Sequence, residues 1–228
     1  MTLCEGIELY KSKRLLYRAA ENNEEDKTFL QHDLFKDNAC QLLGSARLRR
    51  PAHAGSAEDA VKSFQSVLLG VIICLRPDTA TNSEGPESPD TPAQKNKPVP
   101  IGFVSLSQQG PEFAHHRSAT LAISLRGGYR GQGYGGEAIN WALDWAFEQA
   151  GLHRVGLTAF SFNHRALHLY KKLGFVEEGR EREAVQHFRV WHDIVILGML
   201  ESEWEKLRGF TPEATVVTPS FSSELGSE

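Results

Sequence analysis

Apolar and polar residues alternate along the chain with two periods, and the changes of period mark its elements. Leu15–Ala19 reads as a first strand. Glu24–Phe35 has helical spacing, with Phe29, Leu30 and Leu34 turned inward. Ala57–Phe64 predicts a short helix, and Val67–Leu75 is an unbroken β-rich apolar run, as in a buried strand. Ile101–Leu106 and Thr120–Leu125 follow as strands. From Gly135 to Gln149 the helical period is strong. Glu137, Asn140, Asp144 and Glu148 share a polar stripe, while Ala138, Ile139, Trp141, Ala142, Trp145 and Ala146 cover the rest. Gly151 is placed to stop that helix. Val155–Phe160 is another strand. Asn163 suits the N-cap of a helix that runs to Leu173, with Ala166, Leu167, Tyr170 and Leu173 on one face. Gly174 then supplies a left-handed stop, over which Phe175 folds back. Val185–Trp191 and Ile194–Leu200 fit two last strands. Strands and helices in this order predict one α/β domain with a mixed sheet.

Two stretches break the pattern. Residues 77–100 hold more than half of the chain's ten prolines and no aromatic residue. Such a stretch buries too little to offset its ordering entropy, so it is expected to be a flexible insertion between two strands. Residues 209–228, rich in Ser, Thr and Glu, are expected to be a disordered tail. Both stretches are acidic, and together they carry a net −5 against −4 for the whole chain. The remaining body is close to neutral, which argues for no nucleic-acid partner. Cys4, Cys40 and Cys74 are odd in number and widely spaced, as for reduced thiols rather than a disulfide framework or zinc site. The longest apolar run is too short to span a bilayer. Met1–Arg14 lacks the apolar core of a secretion signal. A cytoplasmic protein without a membrane partner is expected.

The sharpest local signal is a strand, then Arg130-Gly131-Gln132-Gly133-Tyr134-Gly135-Gly136, then a helix. Glycines let the backbone turn tightly and approach a ligand. The first amides of a helix lack internal partners, and the helix dipole adds partial positive charge. Together they suit a phosphate. Gly131-x-Gly133-x-x-Gly136 formally satisfies the dinucleotide fingerprint, but the next strand, Val155–Ser161, carries no acid for a ribose. No Gly-Lys-Ser/Thr follows, which removes the P-loop. A ligand-free β–α turn stays open at this point.

The loop resembles the Q/R-x-x-G-x-G/A motif of the GNAT superfamily, with Arg130, Gly133 and Gly135 in its fixed places. Asn163-x-x-Ala166-x-x-x-Tyr170-x-x-Leu173-Gly174-Phe175 is similar to that family's N-x-x-A-x-x-x-Y-x-x-L-G-F helix. The stretch from Trp191-His192-Asp193-Ile194 to Glu203-Trp204 resembles the RimJ/RimL-like branch. The resemblance covers roughly residues 8–207. It implies a GNAT fold: a single α/β domain with a mixed, mostly antiparallel central sheet flanked by helices. It also implies acetyl-CoA as cosubstrate. Ile123, Ser124 and Leu125 would pair with the pantetheine arm. The amides of Gly131, Gln132, Gly133, Tyr134, Gly135 and Gly136 would take the pyrophosphate. Asn163, Ala166, Tyr170 and Lys172 would complete the cofactor site, and Asn163 would serve equally as a helix cap.

The implied reaction is direct attack of a neutral primary amine on the thioester. The acceptor is a small amine, a polyamine or a protein N-terminus. By resemblance Tyr170 serves the departing thiolate. A phenol's ordinary pKa of about 10 exceeds a thiol's 8.5 or so, so donating a hydrogen bond is easier than full proton transfer. Tyr170 would equally fit as a core residue. No general base is identified; Glu24, Glu25, Glu112, His115 and His116 are candidates, each also an ordinary surface residue. By analogy, residues 22–50 and 180–193 would form the acceptor groove. His164 and His168 stand one helical turn apart but lack a third ligand, so no metal is expected. Two other readings are a non-catalytic CoA-binding module of the same fold and an NAD(P)-dependent oxidoreductase. Oligomeric state is not legible.

Overall fold

Side chains on alternate positions of one strand enter two different cores. Along β2 (Leu69–Leu75), Val71 and Ile73 join one cluster of buried residues and Ile72 and Cys74 another. Successive side chains of a strand point to opposite faces, so the sheet is covered on both. The computed structural model describes residues 9–35, 37–46, 56–77 and 97–210. Seven strands form one sheet in the order β1-β2-β3-β4-β5-β7-β6. The others are β1 (Leu15–Ala19), β3 (Val99–Ser107), β4 (Ser118–Leu125), β5 (Arg154–Phe160), β6 (Val176–His187) and β7 (Val190–Leu200). All neighbours run antiparallel except β4 and β5.

On one face lie α4 (Tyr134–Asp144), widening into a π-helical turn at Trp145–Gln149, then α5 (His164–Lys172) and α6 (Glu201–Arg208). Ala138, Ile139, Ala142 and Leu143 of α4 are fully buried or nearly so, and Trp141 stacks on Tyr17 at 3.7 Å. The other face is covered by α1 (Glu24–Thr28), its π-helical continuation Phe29–Phe35, and α3 (Ser56–Ser66). There Phe29, Leu30, Leu34, Val61 and Phe64 pack on Ile72 and Cys74. A short α2 (Asn38–Gly44) stands beside β4 and β5.

Most elements fall where periodicity puts them, with Leu15–Ala19 matching to the residue. The end of the chain differs. The predicted strand Val185–Trp191 straddles a hairpin: β6 ends at His187, and Phe188 and Arg189 form the turn with φ of 45° and 66°. A two-residue hairpin loop needs positive φ at both positions. Here non-glycine residues supply it, so the usual Asn-Gly signal is missing. The strand expected at Ile101 starts at Val99, inside the stretch read as insertion. Residues 78–96 and 211–228, which carry the expected insertion and tail, lie outside the described residues. Gly209 caps α6 at φ 76°, and Phe210 packs against Trp204.

Candidate active site

The site begins where the sheet stops being continuous. β4 and β5 pair only through Ser118↔Arg154, Ala119↔Val155 and Thr120↔Gly156. Beyond Thr120, β4 keeps its partner β3 as far as Leu125, and β5 keeps β7 as far as Phe160. The strands therefore open a wedge between Leu121–Leu125 and Leu157–Phe160. Ile123, Ser124 and Leu125 lie along one side of it. An extended chain seated there meets strand backbone as an added strand would.

The wedge leads into the glycine loop. Arg130 N donates to Gly127 O at 3.3 Å and Glu137 N to Gly133 O at 3.2 Å. Among the described residues, the amides of Gly131, Gln132, Gly133, Tyr134, Gly135 and Gly136 have no backbone acceptor. Gly131 and Gly133 adopt φ of 82° and 84°, a left-handed conformation that side chains with a Cβ resist. A Cβ at Gly131 would strike Arg165 Nη2. At Gly136 a Cβ would meet Leu169 of α5 at 3.5 Å, an ordinary contact, so α5 packs on the start of α4 without requiring glycine there. Loop and helix start make a cradle for an anion.

Arg14, at the entry to β1, was not found from sequence. Its Nη1 donates to Gln132 O at 3.0 Å, its guanidinium sits 4.4 Å from the Tyr134 ring centroid, and its Nε donates to Glu137 Oε2 at 2.7 Å. Glu137 also accepts from Arg14 N and Ser12 Oγ. Burial pushes the Glu137 carboxyl up, but these hydrogen bonds outweigh it and hold the carboxyl below its ordinary range. The acid in the first turn of α4 is thus neutralised by a cation in place. Arg165, in the first turn of α5, brings a second guanidinium to the loop. Its place two residues after Asn163 is the only sequence signal for it.

Other predicted residues divide. Asn163 caps α5: its Oδ1 accepts from Ala166 N at 3.2 Å, while its Nδ2 donates to Leu43 O of α2 at 3.3 Å. The Arg130 side chain turns to the wedge and α2, with Nε donating to Leu125 O at 2.8 Å and Nη2 to Asp37 Oδ2 at 2.7 Å. Cys40 of α2 closes this cluster, taking a hydrogen bond from Ser124 Oγ at 3.1 Å. Tyr170 packs against the main core and meets Phe175 edge-on at 6.0 Å. Burial raises its pKa, so the phenol keeps its proton through the neutral range. Lys172 is exposed at the far end of α5, about 10 Å along the axis from Arg165 at 1.5 Å per residue.

The candidate bases lie elsewhere. Glu112, His115 and His116 precede Ser118, at the closed end of the wedge, about 23 Å from Leu125 at the rise of a strand. On α1, Glu24 pairs with Lys27 and Glu25 with Lys97, which lies just before β3. His164 and His168 are exposed, and no three His, Cys, Asp or Glu side chains cluster as a metal site among the described residues.

At the open end of the wedge is a cavity of about 80 Å³, also not found from sequence. Leu42, Ser45 and Ala46 line it from α2 and the residues after it, Phe160 and Phe162 from the end of β5, and Val185, Gln186 and His187 from β6. Phe162 stacks on His187 at 4.4 Å and on Phe160 at 5.2 Å, with His192 edge-on at 4.8 Å.

The fold that carries this wedge and loop is shared with solved structures. The chain superposes on the crystal structure of spermidine N-acetyltransferase from Vibrio cholerae in complex with CoA and spermine. The TM-score is 0.62 at 24% identity, covering 85% of this chain and 99% of that one. A spermidine N-acetyltransferase chimera from Vibrio cholerae and hSSAT gives a TM-score of 0.58 at 26% identity, over 84% of this chain and 98% of that one. Residues 76–175 match the model of the Acetyltransferase (GNAT) family. This chain has the GNAT fold. Within that fold, the spermidine N(1)-acetyltransferase of Vibrio cholerae is 35% identical over 115 residues, 49% of this chain and 61% of that protein. The prophage-derived N-acetyltransferase YokL of Bacillus subtilis is 33% identical over 81 residues, 36% of this chain and 46% of that protein. The chain therefore spans between about half and three fifths of the length of these relatives. Among the described residues, no helix is long and apolar enough to cross a membrane.

Proposed function

We propose that this protein is an acetyl-CoA-dependent N-acetyltransferase acting on a primary amine. The observation that carries the reading is the continuous path from the wedge to the six loop amides that lack backbone acceptors. That path offers strand backbone to a pantetheine arm and amides to a pyrophosphate, in the order coenzyme A carries them. Gly131–Gly136, with Arg14 and Arg165 beside them, would hold the phosphates; Ile123–Leu125 would hold the arm.

When bound, acetyl-CoA supplies an acetyl thioester that a neutral amine can attack without a covalent enzyme intermediate. The chain's part is positioning and charge. Tyr170 holds a phenolic proton that can be offered as a hydrogen bond to developing negative charge. The aromatic cavity at the wedge mouth receives the acceptor. Similarity to spermidine acetyltransferases supports a small amine. The Trp191–Ile194 and Glu203-Trp204 sequence supports the RimJ/RimL-like branch, which leaves a protein N-terminus as the second acceptor class. Thiols at Cys40 and Cys74, free of disulfides, support a cytoplasmic setting.

The test is thermal melting with acetyl-CoA, followed by thiol release across an amine panel. Acetyl-CoA is expected to raise Tm and NAD(P)H to leave it unchanged. A rise with NADPH alone would reverse the assignment. Binding without turnover of any amine would favour the non-catalytic module.

A further inference from the structure

We infer that Arg14 is a positioning residue for the cofactor: it fixes the peptide between Gln132 and Gly133 so that the Gly133 amide faces the diphosphate. The inference rests on the acetyl-CoA reading above. It gives a part to a residue that lies outside both sequence motifs.

A peptide unit is planar and trans, so its carbonyl and its N–H point in opposite directions. Arg14 Nη1 donates to Gln132 O at 3.0 Å. The Gly133 N–H of the same peptide therefore points away from Arg14, and among the described residues it has no backbone acceptor. Turning this one peptide over would put a carbonyl where the amide stands, an acceptor in a cradle built for an anion. Such a turn changes ψ at Gln132 and φ at Gly133. Glycine takes either sign of φ, so the backbone alone does not choose. Gln132 is also held through its side chain, Nε2 donating to Gly128 O at 2.7 Å. That bond anchors the residue but not the plane of its carbonyl. The plane is set by Arg14, with Gly133 at φ 84°.

Arg14 can do this because it is itself held. Its Nε donates to Glu137 Oε2 at 2.7 Å and its main-chain N to Glu137 Oε1 at 2.6 Å. Ser12 Oγ donates to the same Oε1 at 2.7 Å and keeps the carboxylate aimed. The guanidinium lies 4.4 Å from the Tyr134 ring centroid. A Cβ at Gly133 would come 3.2 Å from Arg14 Nη2, so the guanidinium sits against the loop. A guanidinium is a planar fork that can bridge a carboxylate and a carbonyl at once; an ammonium is a point charge without that fork. Glu137 thereby gains a purpose. An acid one turn from a diphosphate would repel it, yet here the acid is the bracket that holds Arg14.

The test reads the peptide and the cofactor separately, on the full chain. NMR without ligand follows the Overhauser effect from Gln132 Hα to the Gly133 amide proton, whose strength changes when that peptide turns over. Calorimetry gives the acetyl-CoA dissociation constant, and Tm checks folding. Arg14→Met keeps the aliphatic stem and loses the fork. It is expected to change the Overhauser effect. If the competent orientation falls to about one tenth, the dissociation constant rises about tenfold, while kcat at saturating acetyl-CoA stays near wild type. Arg14→Lys keeps the charge without the fork and is expected to stay closer to Arg14→Met than to wild type. Glu137→Gln gives the deciding sign: by charge alone it would tighten binding, whereas loss of the bracket weakens it, and weaker binding is expected. If the Arg14 variants do not fold, Ser12→Ala loosens the same bracket and should move the same readings by less. An unchanged Overhauser effect in the folded variants overturns the inference even where binding weakens, since Arg14 would then meet the phosphates directly. Wild-type affinity in Arg14→Lys, or tighter binding by Glu137→Gln, overturns it too. If the wild-type chain does not bind acetyl-CoA, the cofactor reading falls and the inference with it; if it binds, the other outcomes bear on the inference alone.

Discussion

Tyr170 and Gly133 carry different parts of the proposed chemistry, and their substitutions separate those parts. Tyr170→Phe removes one hydroxyl and keeps the ring against Phe175. It is expected to lower turnover about 10- to 100-fold, the worth of one hydrogen bond to a charged group, while the acetyl-CoA dissociation constant and Tm stay near wild type. Unchanged steady-state turnover would take Tyr170 out of the mechanism. Gly133→Ala acts on binding instead. At φ 84° an alanine is strained by about 1–2 kcal/mol, and relief of that strain moves the amides. Weaker acetyl-CoA binding by titration, with a lower Tm, is the expected result. The glycines were legible in the sequence because the loop is contiguous and each glycine answers to a local backbone need. Arg14 and Arg165 were not, because each reaches the loop only through folding. Arg14 comes from 118 residues away to meet Gln132.

Among the elements, long amphipathic runs announced themselves and short or charged ones did not. α4 and α5 followed from helical spacing plus a glycine stop. α2 is seven residues, Asn-Ala-Cys-Gln-Leu-Leu-Gly, too short to show a period. β6 is an edge strand, Val176–His187, half of it charged and most of it exposed, so it lacks the apolar alternation of a half-buried strand. Missing α2 meant missing the cavity, since α2 supplies one wall. α2 is also tied to both motifs, through Arg130 to Asp37 and Asn163 to Leu43 O. Asp37→Asn should remove one tie. The pair is partly exposed, so the stability cost is expected to stay below about 1 kcal/mol. Hydrogen exchange over residues 38–44 should nonetheless quicken, and the amine KM should rise. Exchange at the wild-type rate would show that α2 is held by packing alone.

The fold as a unit rests on two acid–base clips, one on each side of β1, of which only the Asp26 carboxyl is fully buried. Glu137 joins α4 to Ser12 and Arg14. Asp26, fully buried, joins α1 to Arg18 at 2.6 and 2.7 Å and to Glu21 N at 2.8 Å. Burial pushes the Asp26 carboxyl up, but Arg18 and the Glu21 amide outweigh it and hold it below its ordinary range. Both folded pKa values lie below the unfolded ones, so both contributions are complete above the unfolded carboxyl range. They are lost as pH falls through the folded values. Urea unfolding should show stability level from pH 7 to about pH 5 and declining below about pH 4. Asp26→Asn weakens hydrogen bonds to a buried carboxylate whose partner Arg18 is partly exposed, and should cost about 1.5–3 kcal/mol at pH 7, with a flatter acid limb. A curve parallel to wild type would show that Asp26 does not set acid tolerance.

Three residue pairs between β4 and β5 are all that stitch the antiparallel strands before the wedge to those after it. Such a seam is weak in shear, and whatever fills the gap beyond it acts as mortar. Coenzyme A would therefore do more than deliver acetyl: it would weld the two sub-sheets into one plate. Amide exchange along Leu157–Phe160 and Leu121–Leu125 should then slow together on loading, and a force applied across the seam should find the loaded protein stiffer than the bare one.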